Sequence, residues 1–244
     1  MEYGIQMYSL RDITDKDMNL ALRSVAEMGY KFVEFAGFFG HKAEEIKAML
    51  DFYGLTCSST HTGWNEVADN FAETVRYHKA IGNQNIIVPG ADLNCQEKLD
   101  AFVKMVNEFQ PRLADEGIAF HYHNHSHEFI PNADGSMIHA QLEDRTDILF
   151  QIDTYWAFAA HLDPVKTITR LKDRIRLIHL KDGDGGHNGC SLGMGAAPVA
   201  AVREKAIELG FRMVVESEGL NPTGTEEVRR CINYLKGLDA ADGK

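Results

Sequence analysis

Eight rounds of a short apolar β-type run followed by an amphipathic segment, spread over 244 residues, predict a (β/α)8 barrel. Two further observations support it. Helical segments close on Met28-Gly29-Tyr30, Tyr53-Gly54-Leu55, Glu116-Gly117-Ile118 and Leu209-Gly210-Phe211, where a left-handed glycine ends a helix and an apolar residue opens the next strand. Polar side chains of metal-binding type also recur where the apolar runs end, which is where such barrels carry their chemistry. An open doubly wound sheet is the structural alternative.

The strands read near Tyr3–Tyr8, Phe32–Ala36, Thr56–Thr60, Asn85–Val88, Ile118–His123, Ile148–Asp153, Ile175–Leu180 and Arg212–Glu216. Each is short and rich in β-branched or aromatic residues. The helices read near Asp17–Met28, Ala43–Tyr53, Glu66–Ile81, Gln96–Glu116, Met137–Leu142, Pro164–Leu171, Pro198–Leu209 and Glu226–Leu235. No linker or composition shift divides the chain, so residues 1–244 are expected to form one domain, with Asp239–Lys244 as a frayed tail.

Composition narrows the function. A hydrophobic content of 44% permits a large core, while no apolar run approaches a membrane span and no signal-type segment follows Met1. A soluble, unprocessed protein is expected. Cys57, Cys95, Cys190 and Cys231 form no CxxC pair, which fits a reducing cytoplasmic setting. The net charge of −11 opposes a nucleic-acid partner, since that affinity comes largely from cations neutralising phosphates.

The segment Phe120-His121-Tyr122-His123-Asn124-His125-Ser126-His127-Glu128-Phe129 holds four of the eleven histidines. Asp153, His179 and Glu216 end the next three strands. Strand alternation puts His121, His123 and His125 on one face, Asp153 with Gln151, His179 with Leu177 and Lys181, and Glu216 with Val214 and Glu218. Consecutive strands thus present His, Asp, His and Glu to one mouth, a donor set suited to Zn²⁺, Mn²⁺, Co²⁺ or Fe²⁺ with positions left for substrate. Gln6, Tyr8, Glu34 and His61 end the first three strands and are candidate substrate contacts. For Glu34 and Gln6 the alternative is a solvated loop position, and for His61 a bond to backbone. Trp156 is read as a wall for a sugar face; Phe38 and Phe39 are either a core pair or a second such wall. His41, His78, His139 and His161 fall on or beside helices and are expected at the surface. Gly183-Asp184-Gly185-Gly186-His187 with Gly193-Met194-Gly195 is either a flexible loop over the site or a phosphate-cradling nest. It lacks the GxGxxG spacing of a nucleotide site.

Gly4-Ile5-Gln6-Met7-Tyr8-Ser9-Leu10-Arg11-Asp12, Tyr122-His123-Asn124-His125 with Glu128-Phe129, Asp153-Thr154-Tyr155-Trp156 with Asp163-Pro164, His179-Leu180-Lys181-Asp182 and Val215-Glu216 resemble the xylose isomerase-like TIM barrels known as sugar phosphate isomerases/epimerases. The resemblance spans nearly the whole chain. It implies one divalent ion (Mn²⁺, Zn²⁺, Co²⁺ or Mg²⁺), with Asp153, His179 and Glu216 as three ligands. The first ligand falls at His123, where related members carry glutamate; His121 is the reserve. It also implies a small carbohydrate substrate and permits a homo-oligomer. The implied chemistry is proton abstraction beside a sugar carbonyl through a metal-bound enediolate, with Glu216 as base and His125, Glu128, Lys181 or His61 as second proton donor. Return of the proton isomerises or epimerises a ketose or keto-sugar. A dehydratase or lyase acting on an inosose or keto-glycoside is the runner-up, favoured by the missing glutamate. A catalytically silent sugar-binding barrel is the third reading, and a nuclease of the endonuclease IV kind is disfavoured by the charge.

Overall fold

The computed structural model describes residues 1–243 and forms the closed barrel. Its strands are β1 (Gly4–Gln6), β2 (Phe32–Phe35), β3 (Thr56–His61), β4 (Asn85–Val88), β5 (Ala119–His123), β6 (Leu149–Asp153), β7 (Ile175–Leu180) and β10 (Arg212–Val215). All pair in parallel, and β1 closes the ring between β2 and β10. A two-residue antiparallel hairpin, β8 (Asp182–Gly183) with β9 (Gly189–Cys190), follows β7.

Alternation divides each strand between two cores. Val33, Ile86, Ile178 and Val215 face outward into the large cluster beneath the helices, whereas Phe32, Ile87, Leu177 and Val214 form a separate plug inside the barrel. Gly4 makes room for that plug. A Cβ on Gly4 would lie 2.1 Å from the Phe32 ring, so only glycine lets the ring occupy this space.

The helices are α1 (Met18–Met28), α2 (Ala43–Tyr53), α3 (Trp64–Asp69), α4 (Phe71–Ala80), α5 (Gln96–Asp115), α6 (Ile138–Arg145), α7 (Thr154–Ala159), α8 (Pro164–Arg170), α9 (Val199–Leu209) and α10 (Gly224–Ala241). Gly29 and Gly210 close α1 and α9 with φ of 100° and 74°, as their motifs predict. Three differences from the sequence reading have local causes. The expected helix 66–81 is split into α3 and α4 at Asn70, whose φ of −130° is not helical. The first strand stops at Gln6 because the Gln6 side chain accepts the Tyr8 N–H and turns Met7–Leu10 into a 3-10 helix. Helix α7 starts directly on Asp153, which caps it by accepting the Trp156 N–H.

The expected fray at Asp239–Lys244 is corrected over its described part. Helix α10 runs through Ala241, and the Asp239 carboxylate accepts bonds from Tyr3 Oη at 2.7 Å, the Met1 amine at 3.0 Å and Arg203. Lys244 lies outside the described residues. His78 and His139 are buried rather than at the surface. His78 bonds Thr60 Oγ1 at 2.8 Å, and His139 lies between the Phe129 and Phe150 rings at 4.5 Å from each. No described helix is long and apolar enough to cross a membrane.

Gly4→Ala is expected to cost about 1–3 kcal/mol in urea unfolding, because the plug must shift to admit a methyl group. A second expectation concerns acid. Burial pushes the Glu143 carboxyl up, but bonds from His139 and Arg170 more than offset this and bring it from 4.5 to about 2. A depressed folded pKa gives stability that is complete above pH 4.5 and lost as the pH falls towards 2. Glu143→Gln should therefore be less stable at neutral pH and show a shallower loss over that interval.

Candidate metal centre and substrate pocket

Register brings the strand ends together. His123 on β5 pairs with Gln151 on β6, Asp153 with His179 on β7, and His179 with Val214 on β10, two residues before Glu216. Glu216 stays in line because its N–H donates to the Leu180 carbonyl at 3.0 Å. One donor atom from each of His123, Asp153, His179 and Glu216 then lies within 4.8 Å of the others, and all four residues are buried. His61, His123 and His179 satisfy the same criterion. His121 does not join them. It lies two residues towards the barrel floor, with Nε2 against Asn85 Oδ1 at 3.0 Å.

Beneath the cluster sits Glu34, fully buried. Its carboxylate accepts from Gln6 Nε2 at 2.7 Å, Gln151 Nε2 at 2.6 Å, His179 Nε2 at 2.6 Å, His61 Nε2 at 3.1 Å and Ser59 Oγ. Burial alone would raise this carboxyl, but His61 and His179 more than offset it and hold it well below its usual range. An ionised Glu34 fixes the Gln151 amide, whose Oε1 must accept from His61 Nε2 at 2.9 Å and from His123 Nδ1 at 3.1 Å. The hydrogen bonds thereby set both imidazoles. His123 carries its proton on Nδ1 and frees Nε2, while His179 points Nε2–H at Glu34 and turns Nδ1 towards Asp153 and Glu216.

Two atoms test whether a metal fits. Asp153 Oδ2 and His179 Nδ1 are buried without a hydrogen-bond partner, although Asp153 Oδ1 and His179 Nε2 are both satisfied. Buried polar atoms left unpaired are costly, and a cation between them satisfies both. Burial, with His179, His61 and His125 nearby, holds His123 well below its usual pKa, so it is the neutral ligand form. His179 behaves oppositely. Burial lowers it, but Glu34 and Glu216 more than compensate, so a proton occupies Nδ1 when no cation does.

Lys181 is almost fully buried and donates to Glu216 at 3.0 Å and Glu218 at 2.7 Å, with Asp153 Oδ2 at 3.6 Å. It does not pair with its neighbour Asp182. Burial opposes its charge, but these carboxylates overcome that and raise its pKa. Its ammonium lies 4.7 Å from the Trp156 ring, so Trp156 backs the lysine and is not an open wall. Burial likewise raises the Glu216 carboxyl, but Lys181 and His179 outweigh it and keep Glu216 ionised.

A cavity of about 470 Å³ opens above the cluster, lined by Tyr8, His61, Glu66, His123, His125, Glu216 and Glu218 among others. Of the expected contacts, Tyr8 and His61 face it. Gln6 and Glu34 are neither solvated loop residues nor on its wall; they lie below it in the buried network. Glu128 is also behind the wall, accepting from the His125 N–H at 2.7 Å and from Tyr122 Oη at 3.1 Å. It positions the His125 segment. Of the aromatic pair, Phe38 packs on Phe35 and Tyr77, while Phe39 is exposed. The glycine-rich nest is real but filled from within: Asp182 accepts the N–H groups of Gly183, Gly193, Gly195 and Ala197 at 2.9–3.0 Å. Sequence reasoning missed Ser59 and the organising part of Gln151, although period-two alternation places Ser59 with His61 and Gln151 with Asp153.

Fold and site define an α/β-barrel with a His₂/Asp/Glu donor set at the C-terminal mouth. The chain belongs to the xylose isomerase-like TIM barrel family, whose model matches residues 22–237. Among solved structures, a sugar phosphate isomerase/epimerase from Parabacteroides distasonis is 26% identical, with 96% of this chain and 93% of that one covered and a TM-score of 0.82. A second from the same organism is 25% identical, with 96% and 97% covered and a TM-score of 0.85. A D-allulose 3-epimerase from Methylomonas sp. shares the fold at 15% identity, with 98% of each chain covered and a TM-score of 0.71. A comparison with curated proteins gave no match.

Loss of the Glu34 carboxylate should loosen both imidazoles. Glu34→Gln is expected to weaken Mn²⁺ or Zn²⁺ binding about 10–100-fold in calorimetry, the usual effect of removing a group that orients a ligand. His123→Ala should lose bound metal after dialysis, whereas His121→Ala should keep it; the reverse pattern would move the ligand to His121.

Proposed function

We propose that the protein is a divalent-metal-dependent carbohydrate isomerase or epimerase, with residues 1–244 acting as one domain on a ketose or keto-sugar through an enediolate. The observation that carries this reading is Glu216, which belongs to the four-residue donor cluster and also lines the cavity. His123, Asp153, His179 and Glu216 would hold the ion. When bound, a divalent ion there supplies Lewis-acid polarisation of a sugar carbonyl and its neighbouring hydroxyl.

The protein's own groups do the rest. Glu216, kept ionised by Lys181 and His179, takes the proton from the carbon beside the carbonyl. His61 and His125 line the same cavity and are placed to exchange protons with sugar oxygens. Lys181 and Glu128 act from behind, the first by compensating charge and the second by holding His125. A single carboxylate base on one side favours proton return to the neighbouring carbon, which is isomerisation, over reprotonation from the opposite face of the enediolate, which is epimerisation. The 26% and 25% identical structures, both sugar phosphate isomerases/epimerases, are in line with this class.

An uncharged sugar fits the mouth best. Glu66, Glu216 and Glu218 line the cavity and neither lysine nor arginine does, so a phosphate would meet carboxylates without a cationic side chain on the wall to receive it. β-Elimination is the second reading, favoured by His61 and His125, since an imidazolium can protonate a leaving group.

The test is proton–deuterium exchange followed by NMR in D₂O, with added Mn²⁺, Co²⁺ or Mg²⁺, over neutral ketoses, their phosphates and inososes. Exchange beside a carbonyl that chelator abolishes is expected, and the product separates isomerisation from elimination. Glu216→Gln should lower exchange by about 10²–10⁴-fold while the protein stays folded. Full exchange in that variant would remove Glu216 from the mechanism.

A further inference from the structure

The opposite end of the barrel carries a second, chemically different cavity of about 510 Å³. It is lined by Gln84, Asn85, Lys172, Arg176, Arg212 and the Leu209–Phe211 turn, with Ile175 and Leu177 beneath. No carboxylate lines it, in a chain of net charge −11.

Its two arginines stand apart from the rest. Each other arginine of the chain meets a carboxylate or a backbone carbonyl: Arg11, Arg174 and Arg230 reach carbonyls, and Arg23, Arg76, Arg112, Arg145, Arg170, Arg203 and Arg229 reach carboxylates. Arg176 and Arg212 have no such partner among the described residues. They lie on adjacent strands, β7 and β10, where Arg212 pairs with Leu177, the residue after Arg176. Arg212 is held in place by the Phe32 plug, its guanidinium 5.2 Å from the ring.

A third observation comes from His121. It is fully buried, its Nε2 is tied to Asn85 on the cavity wall, and its Nδ1 has no partner.

We propose that this cavity at the N-terminal face of the barrel is a binding site for a phosphate-bearing anion, received by the forks of Arg176 and Arg212 with Lys172 at its edge. Two planar guanidinium groups on neighbouring strands can each give paired N–H bonds to phosphate oxygens, a geometry that a lysine-only surface cannot supply. The cavity has room for more than a bare phosphate, so a phosphate monoester fits as well as the free ion. The site is independent of the catalytic reading, because the Phe32, Ile87, Leu177 and Val214 plug separates it from the metal cluster.

The experiment is calorimetric titration of the whole protein with inorganic phosphate and with glycerol 3-phosphate at low ionic strength. Saturable binding of at least one is expected, weakened about tenfold or more in Arg176→Gln and in Arg212→Gln and absent from the double variant. Circular dichroism checks that the variants remain folded, and Glu216→Gln should bind phosphate as the wild type does. Tighter binding of the ester identifies a phosphorylated metabolite, and equal binding identifies free phosphate. Absence of saturable binding in the wild type, binding that survives in the double variant, or binding lost in Glu216→Gln would overturn the proposal.

Discussion

The Glu34 carboxylate is the constraint on which the donor cluster at the C-terminal mouth of the barrel depends. A carboxylate removed from water costs several kcal/mol unless its lone pairs are satisfied. Here five side chains from four other strands converge on it: Gln6, Ser59, His61, Gln151 and His179. The consequence is directional. An acceptor-only group at the centre forces every neighbour to donate, which fixes the Gln151 amide and through it the tautomers of His61 and His123. Metal-type donors near a strand end do not make a site until their lone pairs face one point, and Glu34 determines where they face.

Charge balance argues in the same direction one layer higher. Around Lys181, Asp153, Glu216 and Glu218 place three carboxylates against one ammonium. That excess of two negative charges suits a divalent cation. It also explains why a lysine can be buried so deeply, since removing its carboxylates would leave an unpaired ammonium in a low-dielectric interior. Lys181 thus keeps the empty cluster from repelling itself.

Most of the barrel was legible because its two periodicities are local. Period-two alternation and glycine-terminated helices located the eight strands within a few residues, and chain order with barrel closure carried Asp153, His179 and Glu216 to one mouth. What escaped depended on distant partners. His78 and His139 look like helix-surface residues until Thr60 on one side and Phe129 with Phe150 on the other give them buried partners. Glu34 and Gln6 end strands as pocket residues would, but barrel stagger sets them a layer too low to reach it. The glycines after β7 do form an anion nest, and Asp182, 11 to 15 residues away along the chain from most of its donors, claims it. Tail order likewise required Tyr3 and Arg203, which lie far from Asp239 in sequence.

Imidazole at His123 has a cost and a benefit that together shape the chemistry. A neutral donor leaves the cluster one negative charge poorer than a carboxylate would, so a bound cation keeps more of its charge for polarising substrate oxygen. An imidazole here also supplies no base on that side of the cavity, because the buried His123 is held far below its usual pKa and its Nδ1 is committed to Gln151. Glu216 is then the one cluster carboxylate that both faces the cavity and carries charge at neutral pH. Stronger polarisation compensates for fewer bases when the reaction moves a proton along one face. It compensates poorly when a proton must leave one face and return to the other, since that requires a second group of matched pKa. The electrostatics of the buried network therefore point to the same division of labour as the geometry of the pocket.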